Sequence, residues 1–259
     1  RSTLVRRSRL GRAASRRLRE LAAKNLAVPI FMPVRPYSRE SQTVYGLGGR
    51  GANQLTARHN GLRPRHLTSR EQRSGLFLDH TLRRNDVRIA LDLLQTKRRD
   101  FALLAWQQNP DAVRASAIVK IGSRSEARVP MVPDGIALVR VGGECQALAI
   151  EVDMGTVPIE RMWRRYRAYW AWWRQGGARL RYGPAPYRVL TLANSAKRAE
   201  ALRICAARAP ERGNHGSKLF WFTTLDHADI TTPERLLTEG WSVASNPPLP
   251  PQPLFSSPH

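Results

Sequence analysis

Apolar and polar positions are patterned most clearly between Val132 and Thr156, in the segment VPDGIALVRVGGECQALAIEVDMGT. Two short apolar runs lie on either side of Gly142 and Gly143, and paired glycines are typical of a tight turn between strands. The pattern therefore predicts a β-hairpin. An acidic residue opens its first run, and two acidic residues close its second.

Around this hairpin, the apolar pattern predicts alternating helices and strands. An amphipathic helix begins near Leu76, and FALLAWQQ follows as a strand, whereas ASAIVKIG is poorly patterned. After the hairpin come a helix rich in aromatic residues and arginine, a strand, a helix and a last strand: PIERMWRRYRAYWAWWRQGG, YRVLTLANS, AKRAEALRICAARAP and KLFWFTTL. This order predicts an α/β (α+β) domain over residues 76–245, with a mixed central sheet flanked by helices. The proline-rich tail, 246–259, belongs to a segment from Trp241 onward that has no apparent core potential.

The first part of the chain has a different order. RAASRRLRELAAKN predicts a helix, LAVPIFMPVRPY and TVYGL predict two strands, and GGRGANQLTARHN predicts a second helix. Helix, strand, turn, strand and helix is the order of a winged helix, which we expect over residues 1–60, followed by a polar linker over 61–75. The first helix would enter the major groove, and the turn near Arg39 would be the wing.

The candidate DNA-binding residues of this domain are arginines on the first helix and at the wing: Arg12, Arg16, Arg17, Arg19 and Arg39. A solvated helix face would also explain the run on the helix. Arg16 and Arg17 are adjacent, so both cannot lie on the strip that faces a groove.

The charge of the chain favours a polyanionic partner. Its 259 residues include 43 Lys and Arg against 20 Asp and Glu, which gives a net charge of +23. Because phosphates neutralised by such residues release counterions, a nucleic acid fits this excess. A membrane surface or ribosomal RNA would satisfy the charge alone. The basic residues are spread along the chain, which indicates a folded cationic surface, and no apolar run is long enough to span a bilayer.

The acidic residues of the hairpin are the strongest candidates for chemistry. Asp134 lies in a Pro-Asp-Gly bend, and Glu151 and Asp153 are two residues apart on a strand, so their side chains share one face. Pairing through the glycine turn would bring Asp134 close to Glu151. Carboxylates at such an edge can hold Mg²⁺, which activates water and stabilises charge on a phosphate. Acids that flank a hairpin also commonly face solvent or pair with arginine.

Other features are weaker candidates. Trp163, Trp170 and Trp173 could stack on unpaired bases, although their helical spacing favours core positions. The glycine-rich GLGGRG lacks the strand and helix context of a nucleotide site. Cys145 and Cys205 are too few for a disulfide framework, and we expect buried or inert thiols in a reducing compartment.

Several of these segments together resemble the replication-relaxation family of plasmid and mobile-element proteins. They are TVYGLGGRGANQL, DHTLRRNDVRIAL, VPDG, AIEVDMGT, RRYRAYW, YRVLTLANSAKRAEAL and LFWFTTLD. The family is similar to restriction-endonuclease-like nucleases of the PD-(D/E)xK class. It is associated with plasmid replication and with relaxation of supercoiled plasmid DNA.

The resemblance assigns roles to individual residues. Asp134 would be the first acidic ligand of a metal, Glu151 the second, and Asp153 stands where active nucleases of that class usually have lysine. A cation from the following helix could replace this lysine, with Arg161, Arg164 and Arg165 as candidates. His80 and Asp86 would lie on the first core helix, where such nucleases often place a further acid.

The resemblance leaves two functions open. The first is a nuclease that nicks or cuts double-stranded DNA with Mg²⁺ or Mn²⁺ during plasmid replication, relaxation or transfer. The second is a catalytically inactive, nuclease-like subunit that docks on DNA. Either function implies the bacterial cytoplasm and no membrane. Possible protein partners are a second copy of the chain, since homodimers are common among nucleases of this fold, or plasmid replication and transfer proteins.

Overall fold

A computed structural model describes residues 2–31, 43–58, 75–120, 125–210, 217–238, 240–245 and 247–255. Arg39, with the wing predicted near it, and nearly all of the predicted linker lie outside these residues. The chain divides into two compact units, Arg1–Asp79 and His80–His259. None of the helices in the described ranges is long and apolar enough to cross a membrane.

The first unit contains the helices and strands that its apolar pattern predicts. Helix α1 is Ser2–Ala23, strands β1 and β2 are Ala27–Phe31 and Thr43–Leu47, and helix α2 is Gly49–Arg58. The two strands are antiparallel, with Ala27 opposite Leu47. Helix α1 ends before Asn25, which has a positive φ of 54°. The order of elements is confirmed, α1 begins ten residues earlier than predicted, and the winged helix remains a prediction.

Helices and strands alternate from residue 75 onward. The helices are α3 (Gly75–Lys97), α4 (Pro110–Val113), α5 (Ile159–Arg174), α6 (Gly177–Tyr182), α7 (Ala196–Ala207) and α8 (Arg235–Thr238). The strands are β3 (Phe101–Gln107), β4 (Ala115–Lys120), β5 (Glu126–Met131), β6 (Gly135–Val141), β7 (Glu144–Asp153), β8 (Tyr187–Ala193), β9 (Phe220–Thr224) and β10 (Ser242–Val243).

Six of these strands form the central sheet of the second unit, in the order β10-β9-β8-β7-β6-β3. Strands β7, β8 and β9 are parallel, and the other neighbouring pairs are antiparallel. The sheet is therefore mixed, and the predicted α/β (α+β) fold class is confirmed. Strand β7 lies inside the sheet, so both of its edges are hydrogen-bonded to neighbouring strands.

The turn between β6 and β7 is the one that the paired glycines predict. Gly142 and Gly143 have φ angles of 57° and 92°, and Val141 faces Glu144 directly across the turn. A two-residue turn with positive φ at both positions matches the twist of the flanking strands, and glycine adopts it without strain. This turn fixes the register that sets Gly135 opposite Ile150.

Each face of the sheet buries its own apolar core because successive residues of a strand point to opposite sides. Ala147 and Ala149 of β7 belong to the core that includes buried residues of α5 and α7. Leu148 and Ile150 belong to the core that includes Val87 and Leu91 of α3. Glu151 and Asp153 continue the first series, toward α5 and α7.

Two segments correct the interpretation of the sequence. The poorly patterned ASAIVKIG supplies β4, which pairs with β5 in a separate hairpin that contacts α5. The segment from Trp241 onward does have core residues, because Trp241 and Leu254 are buried and Trp241 pairs with Gln252. Trp241 and Leu254 therefore attach this segment to the domain.

Candidate functional site

The carboxylate predicted to open the hairpin is held directly beside β7. The backbone N–H of Asp134 donates to the carbonyl oxygen of Ile150 at 2.8 Å. Its side-chain Oδ2 accepts a hydrogen bond from the backbone N–H of Val152, also at 2.8 Å. Both bonds bracket Glu151, so the structure brings these two acidic residues together at one strand end.

A close approach by an aromatic ring shapes the backbone next to Asp134. A Cβ atom placed on Gly135 would lie 2.5 Å from the ring of Trp106 on β3, closer than side-chain atoms approach. Glycine therefore lets Trp106 pack against the start of β6. The same ring lies 5.6 Å from the guanidinium of Arg88 on α3, a cation–π distance.

Glu151 is buried and has a partner on each oxygen. Its Oε1 accepts a hydrogen bond from the hydroxyl of Tyr169 at 2.6 Å, and its Oε2 accepts one from Arg165 at 2.8 Å. Both partners lie on α5, one helical turn apart. Burial raises the pKa of the Glu151 carboxyl, the Arg165 guanidinium opposes this rise, and the nearby Asp134 charge adds to it. Glu151 is thus the centre of a buried polar cluster.

Asp153 is also buried, but its partner comes from a different helix. Arg198 on α7 binds both carboxylate oxygens, at 2.8 and 3.0 Å. The backbone N–H of Gly155 donates to Oδ1 at 2.8 Å. The helix after β7 was expected to supply a cation to this strand end, and its Arg165 does contact Glu151. The cation that binds Asp153 comes instead from the helix after β8, because β8 lies beside β7 in the sheet.

His80 reaches the site from α3. Its Nε2 lies 3.2 Å from Oδ1 of Asp134. The hydrogen bond to Asp134 raises the pKa of His80, while burial acts in the opposite direction. The second candidate on this helix, Asp86, lies 3.6 Å from Arg83, and burial raises the pKa of its carboxyl. Of the two residues, His80 is the one whose contact with the hairpin carboxylate is established.

The arginine candidates on α5 separate into two environments. Arg165 joins Glu151, and this pairing raises its pKa. Arg164 instead donates to the exposed Glu160, one turn away on the same helix, at 3.0 Å. The tryptophans also differ: Trp170 is buried, Trp163 is half-buried under Arg167, and Trp173 is exposed. The core interpretation therefore holds for Trp170 and fails for Trp173.

Mg²⁺ is usually held by one or two carboxylates together with waters and phosphate oxygens, and those carboxylates need oxygens that are free to coordinate it. Here both oxygens of Glu151 accept hydrogen bonds, and both oxygens of Asp153 face Arg198. In the part of the chain that the structure describes, no group of three or more His, Cys, Asp or Glu side chains is arranged to hold a metal. In this arrangement the residues do not fit a bound Mg²⁺, and the metal site remains a prediction.

The arginines of α1 lie on the surface of the first unit. Arg12, Arg16, Arg17 and Arg19 are all exposed. Arg17 donates to Glu20 at 3.1 Å, and Arg16 lies 3.8 Å from the same carboxylate. Exposed ion pairs of this kind contribute little to stability. Arg16 and Arg17 can therefore leave Glu20 and contact another anion at little cost in free energy.

Sequence reasoning missed two of the residues that contact the buried acids of β7. Nothing in the sequence indicated that Arg198 binds Asp153, because the two residues are 45 positions apart. Tyr169 was visible only as one of several aromatic residues on α5, and its spacing of four residues from Arg165 was the available signal.

Comparisons with known proteins give one match. The model of the replication-relaxation family matches residues 2–186, which cover α1 through α6 and both acidic ends of the β6–β7 hairpin. Neither the curated proteins nor the solved structures contain a match. The family match covers well over half of the 259 residues, and the chain belongs to the replication-relaxation family.

Proposed function

We propose that this protein binds double-stranded DNA in the replication or relaxation of a plasmid or other mobile element. In this proposal it is a docking protein with a nuclease-like core, and its hairpin carboxylates hold the core together. Family membership supports the biological setting.

The charge of the chain supports the DNA partner. A net charge of +23 produces a strong attraction to phosphates, which releases counterions from the duplex. The exposed arginines of α1 are suited to phosphate contacts, since a guanidinium can donate two parallel hydrogen bonds to one phosphate.

One observation favours docking over cleavage: arginine neutralises each of the two buried acids of β7, Glu151 and Asp153. Arg165 and Tyr169 donate hydrogen bonds to the carboxylate oxygens of Glu151, and Arg198 makes a bidentate contact with those of Asp153. Removing one partner of a buried ion pair is costly because the other charge is left without compensation. These pairs therefore oppose the release of carboxylate oxygens to a metal.

A metal-dependent nuclease is the second candidate, and one contact favours it. Asp134 and Glu151 lie together at a strand end, and Asp134 is partly exposed, with 17% of its side chain accessible. If Arg165 moved away, Asp134 and Glu151 would be the residues to hold Mg²⁺ or Mn²⁺, which would supply the Lewis acid for nicking.

A supercoiled-plasmid assay separates the two candidates. The wild type, Asp134→Ala and Glu151→Gln are incubated with plasmid and Mg²⁺ or Mn²⁺, and binding of each protein is followed by gel shift. Glu160→Gln is the matched control, because Glu160 is an exposed acid of the same region that pairs with Arg164. We expect the wild type to bind the DNA and give a gel shift. We also expect the wild type and Asp134→Ala to produce equal amounts of open-circular plasmid.

Two results would contradict the docking proposal. Open-circular product that disappears in Asp134→Ala and Glu151→Gln, yet persists in Glu160→Gln, would establish the nuclease instead. Absence of any gel shift at low salt would exclude DNA docking itself.

A further inference from the structure

A cleft on the α5 face of the second unit lies apart from the hairpin carboxylates. It is formed by β4, by the last turns of α5 and by Ala209, and its volume is about 370 Å³. Arg167, Trp170 and Arg174 of α5 line it, at helical spacings of three and four residues, and Lys120 and Ile118 of β4 line the opposite side.

Trp170 gives this cleft an unsatisfied hydrogen-bond donor. The residue is 93% buried, since 7% of its surface is exposed, and its ring packs 5.2 Å from that of Trp173. Its indole Nε1 is buried and donates to no residue that the structure describes. An indole N–H can only donate, and a buried donor without an acceptor destabilises a fold. Less than 1 Å² of this nitrogen is accessible, so a ligand in the cleft that supplies an oxygen acceptor would remove this cost as the side chains over the N–H move aside.

The charge around the donor specifies the kind of acceptor. Among the residues that the structure describes, Lys120, Arg167 and Arg174 line the cleft together with one acidic residue, Glu126. Three cations against one carboxylate favour an anion, and arginine matches the geometry of a phosphate. Ile118 adds an apolar wall, because 53% of its surface is exposed at this point. A phosphate joined to a nucleobase fits both parts of the lining, because the flat face of the base can pack on an apolar side chain while the phosphate meets the cations.

We propose that this cleft binds a nucleotide of single-stranded DNA, with the Trp170 N–H and the cations Lys120, Arg167 and Arg174 directed at its phosphate or base oxygens. The inference rests on the DNA-binding function proposed above and extends it to an unpaired strand. A recessed donor is reached by a nucleotide that projects from its strand. Stacked, paired bases in a duplex do not project in this way.

The unpaired strand also fits the setting of the family. Replication of a plasmid separates the strands of its duplex, so single-stranded DNA is present where the protein would act. Binding to single strands combines a cationic path for the backbone with exposed aromatic side chains. Here the cations line the cleft, and the exposed Trp173 lies on the same helix, with its ring 5.2 Å from that of Trp170.

The indole N–H signals of the protein test the proposal directly. The full chain is labelled with ¹⁵N-tryptophan, and a short oligothymidine is added while the indole resonances are recorded. Trp170→Phe identifies the Trp170 signal. We expect this signal to shift on saturation, because the N–H gains an acceptor. Inorganic phosphate is titrated separately, as a probe for a site that takes free anions.

Affinity measurements provide a second readout that leaves the core intact. Lys120→Ala and Arg174→Ala remove exposed cations of the cleft, and each is expected to weaken oligothymidine binding about fivefold. Arg179→Ala is the matched control, since Arg179 is exposed on the neighbouring α6 outside the cleft. We expect less than about a twofold change in this control, where no phosphate contact is removed.

The outcomes distinguish this inference from the DNA-docking proposal. If the protein shifts duplex DNA but the Trp170 signal does not respond to oligothymidine, this inference alone is wrong. If the signal responds to inorganic phosphate and not to the strand, the cleft is a free-anion site and the inference is also overturned. If Trp170 responds while duplex binding is absent, the docking proposal fails and the single-strand site stands.

Discussion

At the scale of single residues, the decisive feature is how the acids of β7 are neutralised. Glu151 lies in the same buried cluster as Tyr169 and Arg165, and Asp153 is bound by Arg198. A buried ion pair contributes little to stability over an apolar pair, but losing one partner has a large effect. Arg165 and Arg198 therefore stabilise the fold, because each compensates the charge of a buried carboxylate.

Arg165→Ala is expected to lower the free energy of unfolding by about 3–5 kcal/mol, because Glu151 would be left buried without its cation. Urea unfolding of the purified protein measures this loss. Arg164→Ala is the control, since it removes an exposed pair with Glu160 and should cost about 0–1 kcal/mol. The double variant Arg165→Ala, Glu151→Gln should recover part of the loss, and no recovery would show that the charge of Glu151 is not the cause.

His80 predicts a pH dependence of stability. Its pKa is raised in the folded protein, chiefly by the hydrogen bond to Asp134. Its contribution is therefore complete below the ordinary histidine pKa of about 6.5 and is lost as the pH rises through the folded value. The difference in unfolding free energy between the wild type and His80→Gln should be larger at about pH 6 than at about pH 8.5.

Asp134→Asn supplies the control for this pH effect. With the carboxylate gone, His80→Gln should change stability by a similar amount at both pH values. A pH-dependent difference that persists in the Asp134→Asn background would assign the effect to another partner of His80.

At the scale of elements, helix α1 carries the prediction for DNA contact. Replacing Arg12, Arg16 and Arg19 with alanine should weaken duplex binding and flatten its salt dependence. The slope of log affinity against log salt should fall by about 0.9 for each arginine that contacts a phosphate. The control removes three exposed arginines of the second unit, Arg140, Arg179 and Arg208. Equal effects in both triple variants would contradict a specific role for α1.

The C-terminal proline-rich segment behaves as part of the second unit. Leu254 is buried and its backbone N–H donates to the carbonyl of Leu237, while Arg188 of β8 donates to its carbonyl oxygen. Arg188 also lies over the ring of Trp221 at 4.5 Å. The segment therefore covers one end of the sheet.

Leu254→Ala should destabilise the protein by about 2–5 kcal/mol, because it removes a buried side chain from a packed site. Leu249→Ala is the matched control, since Leu249 lies in the same segment and is 50% exposed. Thermal unfolding of both variants gives the comparison. Equal melting temperatures would mean that the burial of Leu254 does not stabilise the domain.

At the scale of the whole molecule, the excess of 23 positive charges governs association more than folding. Binding to duplexes of unrelated sequence should therefore weaken steeply and linearly on a logarithmic salt scale, with a slope of about −0.9 for each phosphate neutralised. Fluorescence anisotropy with two unrelated duplexes measures this slope. Affinity that is insensitive to salt would exclude charge as the main source of binding.

Much of the fold could be predicted, because it depends on local pattern. The apolar runs along β6 and β7 and the glycines between them were enough to predict this hairpin, and the structure added its register. The parallel neighbour of β7, strand β8, was harder to predict from the sequence, because no local pattern specifies which later strand pairs with β7. The sequence pattern also failed to predict β10, which has two residues, and β4, which has no clear apolar alternation. Hydrogen bonding to a neighbouring strand makes these segments strands more than their intrinsic β-propensity does.

The sequence by itself determined the family, the fold class, the charge and the proximity of Asp134 to Glu151, since each depends on composition or on short-range order. Only the tertiary structure decided which cations meet the carboxylates. Arg198 reaches Asp153 because β8 lies parallel to β7, and His80 reaches Asp134 because α3 packs on the opposite face from α5. Burial also came from the tertiary structure, because a carboxylate becomes dependent on its partner only when the packed elements exclude water from it.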